Sequence, residues 1–173
     1  MINMPDRTDE LLAEWRKYAK KRADLLWRFA RWTKLVSASR VDRLAREAHQ
    51  QVFAGLDCMK CANCCRSMNV LLEKPDIKRI AAYLQIDAVE FQVKYLKPNE
   101  QGQLEFNAKP CPFLADSGAC TIYEVRPKVC AGFPYTDKRN FSSRSWSHGA
   151  NVQDCPAVFH ILERMQERMG FRG

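Results

Sequence analysis

Glycine is scarce in this chain, seven residues of 173, and its scarcity leaves no glycine-rich loop of the kind that cradles phosphates or dinucleotides. No run approaches the roughly 20 consecutive apolar residues that a membrane-spanning helix needs. The start, Met1 to Asp6, has no charged stretch leading into an apolar one, so a secretory leader is not expected either. No catalytic triad and no paired carboxylates stand out, and no segment repeats another. What remains is a chain with 46% hydrophobic residues and only eight prolines. That is enough apolar material for one ordinary domain with a core, and too much for disorder.

Against these absences stand eight cysteines: Cys58, Cys61, Cys64, Cys65, Cys111, Cys120, Cys130 and Cys155. With neither leader nor span, the chain is expected in the cytoplasm, where ordinary thiols stay reduced. The cysteines therefore read as metal ligands rather than as a disulfide framework. A spacing of two residues turns the chain back on itself so that neighbouring thiolates converge. It underlies both zinc knuckles and the C-x2-C-x2-C runs that wrap a 4Fe-4S cluster. Cys58, Cys61 and Cys64 have the second pattern, and the cysteine followed by proline that accompanies such runs occurs at Cys111-Pro112 and Cys155-Pro156. This favours an iron-sulfur cluster, with zinc as the alternative. Cys64 and Cys65 are consecutive and tend to direct their side chains apart, so they serve different metals or divide into one ligand and one packed thiol. Eight thiols suffice for two four-cysteine sites, or for one cluster with the rest structural or reactive. His148 lies in a polar loop before Cys155 without ligand spacing and reads as an exposed residue, with a ligand or proton-handling role as the alternative; His49 and His160 fall on predicted helices with no chemical role.

The net charge of +8 is uneven, since residues 7–52 hold twelve Lys or Arg against six Asp or Glu. Through this basic stretch runs a helical seam of Leu11, Trp15, Tyr18, Arg22, Leu25, Phe29, Trp32 and Val36. It breaks at Ser37-Ala38-Ser39. Ser39 and Asp42 are then expected to cap a second helix through Val41, Leu44, Ala45, Ala48 and Val52. Aromatics on the seam are more simply core than a stacking platform, so nucleic acid is not the expected partner. A protein partner recruited by the basic helices is, and a homodimer packed on the seam is a further option. Pro75 opens a predicted helix with Ile77, Ile80, Ala81 and Leu84 on its apolar face, and Asp87 with Glu90 opens another through Phe91 and Tyr95. The turn-rich section from Pro110 to Cys130 has too little periodic apolar sequence to fold by burial alone and is expected to need metal. A terminal helix follows Cys155-Pro156. The expected fold is mainly α: a small irregular cysteine-rich domain over 56–173, with short helices, turn-rich loops and little strand, preceded by a basic amphipathic helical arm over 1–55.

Cys58-x2-Cys61-x2-Cys64-Cys65, followed by Pro110-Cys111-Pro112-Phe113-Leu114, Cys120-Thr121-Ile122-Tyr123-Glu124-Val125-Arg126-Pro127 and Cys130-x2-Phe133-Pro134, resembles the YkgJ-type CxxCxxCC family over roughly Leu56 to Pro156. The resemblance implies chelation of zinc or iron, or an iron-sulfur cluster, by the cysteines at 58, 61, 64, 65, 111, 120 and 130, with Cys155 as the eighth. Relatives include the flagellin lysine methylase. Electron transfer, redox sensing or service to a modifying enzyme is therefore implied, and the alternative is a zinc-stapled interaction module without redox chemistry. No glycine-rich cofactor loop is visible, so turnover by this chain alone is not expected. Arg126 lies in the shared motif, where it either donates to loop carbonyls or offsets thiolate charge.

Overall fold

The computed structural model describes residues 5–173; of the leader reading over Met1 to Asp6, residues 1–4 lie outside the described residues. The fold is mainly α. Its helices are α1 (Thr8–Trp32), α2 (Ala38–Phe53), α3 (Cys58–Cys61), α4 (Asn63–Ser67), α5 (Lys74–Tyr83), α6 (Ala88–Tyr95), α7 (Lys128–Gly132), α8 (Ser145–Ala150) and α9 (Pro156–Met169), and its strands are β1 (Leu96–Pro98) and β2 (Leu104–Phe106). No helix among the described residues is long and apolar enough to cross a membrane. Packing divides the chain into two compact units, one made of residues up to Cys61 together with Pro134–Gly173, the other of Ala62–Phe133. These units do not coincide with 1–55 and 56–173.

In the first unit, α1 packs on α8 and α9, and α2 packs on α9. The buried side of α1 is Leu11, Leu12, Ala19, Leu26, Phe29 and Ala30, a stripe rotated from the expected seam: Tyr18 is exposed and Leu25 and Val36 are only half-buried. The reason lies in the partner helices. Arg22, which interrupts the seam in sequence, pairs with Glu163 of α9 at 2.8 Å, so a charged residue belongs on the packed side. Phe159, Ile161, Leu162 and Met165 of α9 complete the core with Val41, Ala45 and Ala48 of α2. Helix α2 begins at Ala38, before Ser39. Asp42, expected at the cap, instead accepts hydrogen bonds from the amides of Asn140 and Phe141, both at 2.9 Å. The section around Trp146 is not a loop: a 3-10 turn over Phe141–Arg144 leads into α8. Gly149 allows α8 to lie against α1, because a Cβ there would sit 2.5 Å from Cδ1 of Trp27.

In the second unit the expected helices form. Pro75 stands in the first turn of α5, and the Asp87 carboxylate caps α6 by accepting from the amides of Val89 and Glu90. β1 and β2 pair antiparallel, Leu96 opposite Phe106 and Pro98 opposite Leu104, and Leu71 bridges to Glu105 beside them. The core joins Leu72, Ile77, Ile80, Ala81, Phe91, Leu96 and Phe106 with Phe113 and Ile122. These last two come from the turn-rich section. It therefore does bury apolar side chains of its own, against α5, α6 and the hairpin, which its weak periodicity concealed.

Candidate metal centre

The eight cysteines range from exposed, at Cys58, through half-buried to buried, at Cys155. They fall into two groups. Cys58 and Cys61 occupy the single turn of α3, which Asp57 fastens: its side chain accepts from the Met59 amide at 2.8 Å, and its own amide donates to Oγ1 of Thr8 at the start of α1, also at 2.8 Å. Cys155 sits at the N-cap position of α9, just before Pro156. Burial pushes the Cys155 thiol up to about 12, while the amides of Val158 and Ala157 favour its thiolate and the charges of Cys58 and Cys61 oppose it. Those three sulfurs thus share one electrostatic neighbourhood within the first unit.

The remaining five cysteines belong to the second unit. Ala62, 2% exposed, takes a left-handed backbone with φ of 46° and leads into α4, which carries Cys64 and Cys65. The amide of Cys111 donates to the carbonyl of Cys65 at 2.8 Å, which stitches the Pro110 loop beside α4. Leu114 then bridges to Cys120, with the amide of Thr121 bonded to the Phe113 carbonyl at 2.9 Å. Cys130 lies on α7. A carboxylate from another helix positions that turn: Asp76 of α5 accepts from the amide of Lys128 at 3.0 Å, from Nη2 of Arg79 at 2.6 Å and from the amide of Glu73 at 3.2 Å. Arg79 also donates to the carbonyl of Arg126 at 3.0 Å, so one Asp-Arg pair holds both ends of the Arg126 to Lys128 segment. Sequence reasoning did not single out Asp76. Its signal was an acid three residues after Glu73 in the first turn of a helix.

The thiols of this group differ in acidity. A hydrogen bond from Cys64 holds the Cys65 thiol down at about 7 against the effect of burial, with Arg66 helping. Burial pushes Cys111 up to about 11 and Cys130 up to about 12, and raises Cys120 as well. Charge on Cys65 is felt at all three. Cys65 is therefore about half ionised at neutral pH, whereas Cys111, Cys120 and Cys130 stay protonated there. Arg126 has both roles expected of it. Its guanidinium donates to the Tyr123 carbonyl at 2.8 Å and covers the Tyr123 ring at 3.7 Å, while its charge favours the thiolates of Cys120 and Cys130.

Among the described residues, the group of three whose ligand atoms all lie within 4.8 Å of one another is Glu14, His160 and Glu163, and no three cysteines form such a group. His49 and His160 lie on helices as expected, whereas His148 departs from expectation. His148 is 1% exposed and stacked on Phe141 with centroids 4.2 Å apart; burial pushes its pKa down to about 4, and Arg144 adds to this. His49 meets Oγ1 of Thr136 through Nδ1 at 2.9 Å.

Residues 57–155 match the sequence profile of the family CxxCxxCC, described as "Putative zinc- or iron-chelating domain". Among curated proteins, an uncharacterized protein of Methanocaldococcus jannaschii, MJ0661, is 35% identical over 82 residues, which make up 46% of this chain and 44% of that protein. The chain thus spans less than half the length of this relative. No solved structure matches the chain.

Proposed function

Because the chain belongs to the CxxCxxCC family of zinc- or iron-chelating domains, we propose that its thiols hold an iron-sulfur cluster, of the 4Fe-4S type, and that the protein acts in electron transfer, redox sensing or the service of a modifying enzyme. The observation that supports this over zinc is the spread of the thiols of 62–133. Cys65, Cys111, Cys120 and Cys130 are close enough to feel one another's charge, yet no three cysteine sulfurs among the described residues lie within 4.8 Å. One zinc ion, with Zn–S bonds of about 2.3 Å, draws its four sulfurs to within about 3.8 Å of each other. A cluster gives each thiolate its own iron and holds them further apart.

The donor set fits such a group: thiols only, half-buried, with Arg126 at hand to offset negative charge. Bound there, the cluster supplies one-electron chemistry. The chain's own residues do the rest. Cys65 is the thiol of this group held lowest, and Arg126 shifts the potential upward by favouring the more negative state. Cys58, Cys61 and Cys155 form a second set of ligands in the other unit.

Anaerobic purification tests the reading. A brown protein with sulfide close to stoichiometric with iron supports it; a colourless protein with about two zinc ions per chain, the number eight cysteines can satisfy tetrahedrally, sinks it. Separate Cys64→Ser and Cys65→Ser variants refine it: loss of metal is expected with the second and retention with the first, whose serine leaves Cys65 as the ligand.

The same proposal extends to location and partners. The cytoplasm is the compartment in which cysteine thiols stay reduced. Helix α1 exposes Arg16, Lys17, Lys20 and Lys21, a basic face suited to an acidic protein. Charge reversal at Lys17, Lys20 and Lys21 should abolish partner capture and leave the metal content unchanged.

A further inference from the structure

Away from the cysteines, α1 and α9 bring Glu14, His160 and Glu163 together. His160 and Glu163 are three residues apart on α9 and so share a face, and α1, which carries Glu14, packs against that helix. His160 is 1% exposed, and its Nε2 lies 2.9 Å from the carbonyl oxygen of Leu11. A carbonyl only accepts, so Nε2 carries the proton and Nδ1 presents a lone pair. That lone pair faces Oε2 of Glu14 at 3.9 Å. Glu163 stands beside them with its side chain only 14% exposed.

An imidazole lone pair and two carboxylates turned toward one another are all acceptors, and the arrangement calls for a positive centre. A second proton on His160 is one way to supply it. Burial opposes this, and Arg164 and Arg7 act in the same direction, against the Leu11 carbonyl and Glu14. Arg22 is a second source of charge, yet it lies to one side: its Nε meets Oε1 of Glu163 at 2.8 Å while Nη2 donates to Oε1 of Gln166 at 3.0 Å. Burial also raises the Glu163 carboxyl above its ordinary value despite Arg22 and Arg164, with Glu14 and Glu167 adding to the rise. Arg22 offsets the charge of Glu163 and leaves the lone pair of His160 facing the Glu14 carboxylate.

We propose that Glu14, His160 and Glu163 form a binding site for a divalent transition-metal ion such as Zn2+ or Fe2+, held by Nδ1 and two carboxylate oxygens. Imidazole with carboxylate selects such ions over Ca2+ and Mg2+, which prefer oxygen alone. The Nε2 hydrogen bond to a backbone carbonyl is the arrangement that orients a ligating imidazole and raises its basicity. Glu14, with its side chain 46% exposed, is free to swing the short distance needed to close on the ion. Three protein ligands leave positions for water on that open side. The site owes nothing to the thiols and stands whichever metal they hold.

The test uses the full-length protein with its thiol-bound metal in place, titrated with Co2+ and followed by calorimetry and visible absorption. One further ion per chain should bind, with weak ligand-field bands and no thiolate-to-cobalt charge transfer. Glu14→Gln should weaken binding about tenfold or more, since it removes one of three protein ligands, and Glu163→Gln should abolish it, with the sulfide content and the thiol-bound metal of both variants unchanged. Glu14 is exposed enough that its variant folds in any case. Failure to take up the ion, uptake only with thiolate bands, or unaltered affinity in both variants would overturn the proposal. So would nitrogen chemical shifts showing both ring nitrogens of His160 protonated at neutral pH.

Discussion

Replacing Asp76 should loosen the segment that carries Cys130. The residue is 3% exposed and accepts from the Lys128 amide, the Arg79 guanidinium and the Glu73 amide. Hydrogen bonds to a charged group contribute about 1.5 to 3 kcal/mol each, but the Arg79 side chain is 40% exposed and recovers most of its hydration when released. The two amides dominate, and Asp76→Ala should cost about 3 kcal/mol. Asp76→Asn keeps one oxygen and the shape, and should cost about half as much. For a chain of this size about 3 kcal/mol lowers the melting temperature by roughly 10 °C. The sign with pH follows from the same contacts: burial pushes the Asp76 carboxyl up, but Arg79 and the two amides more than offset it, so its pKa is below the ordinary 3.8. Its stabilisation is complete above that value and is lost as the pH falls below it. Thermal melts of metal-free protein, paired with metal analysis of anaerobically purified variants, read both effects. Asp76→Ala should melt earlier and hold less metal, and Asp76→Asn should show a flatter acid limb. An alanine variant melting within a degree of the parent with its full complement of metal would refute the reasoning.

Gly149→Ala should destabilise the first unit by about 2 kcal/mol, because the added Cβ meets Trp27 at 2.5 Å on the ring and at 3.2 Å on Cα, and backbone cannot step aside as a side-chain tip can; urea titration checks this. Neither ring nitrogen of His148 finds a hydrogen-bond partner among the described residues. With its pKa pushed down to about 4, the unfolded chain binds the extra proton first. Stability should therefore fall by up to about 3 kcal/mol as the pH drops from the unfolded value near 6.5 toward 4, and His148→Leu should flatten that limb in melts taken from pH 7 to 4. The raised thiols act at the other end. With Cys130 and Cys155 held up at about 12, their contribution to the metal-free protein is complete below the unfolded value of about 9 and declines as the pH rises above it. Loading with metal at pH 7 should release protons, measured by calorimetry in buffers of different ionisation heat.

What the sequence determined by itself was local. Pro75, Asp87 and Pro156 marked helix starts because capping and the fixed φ of proline act within a turn, and the Cys58-x2-Cys61-x2-Cys64-Cys65 run, followed in order by the motifs around Cys111, Cys120 and Cys130, identified the chelating family. The buried side of α1 was only partly legible. Tyr18 and Leu25 are as apolar as their neighbours, and the choice of Leu12, Ala19 and Leu26 was made by α8 and α9, which present the matching surface. Tertiary structure alone sorted the thiols, setting Cys155 with Cys58 and Cys61 and setting Cys111, Cys120 and Cys130 with Cys65. That sorting depends on bonds between residues far apart in the chain, such as the Cys111 amide on the Cys65 carbonyl and the Lys128 amide on Asp76, 52 residues away. His160 and the Leu11 carbonyl are 149 residues apart, and no spacing rule reaches so far. Periodicity records what one element demands of its own residues, whereas a ligand set is assembled only where several elements meet.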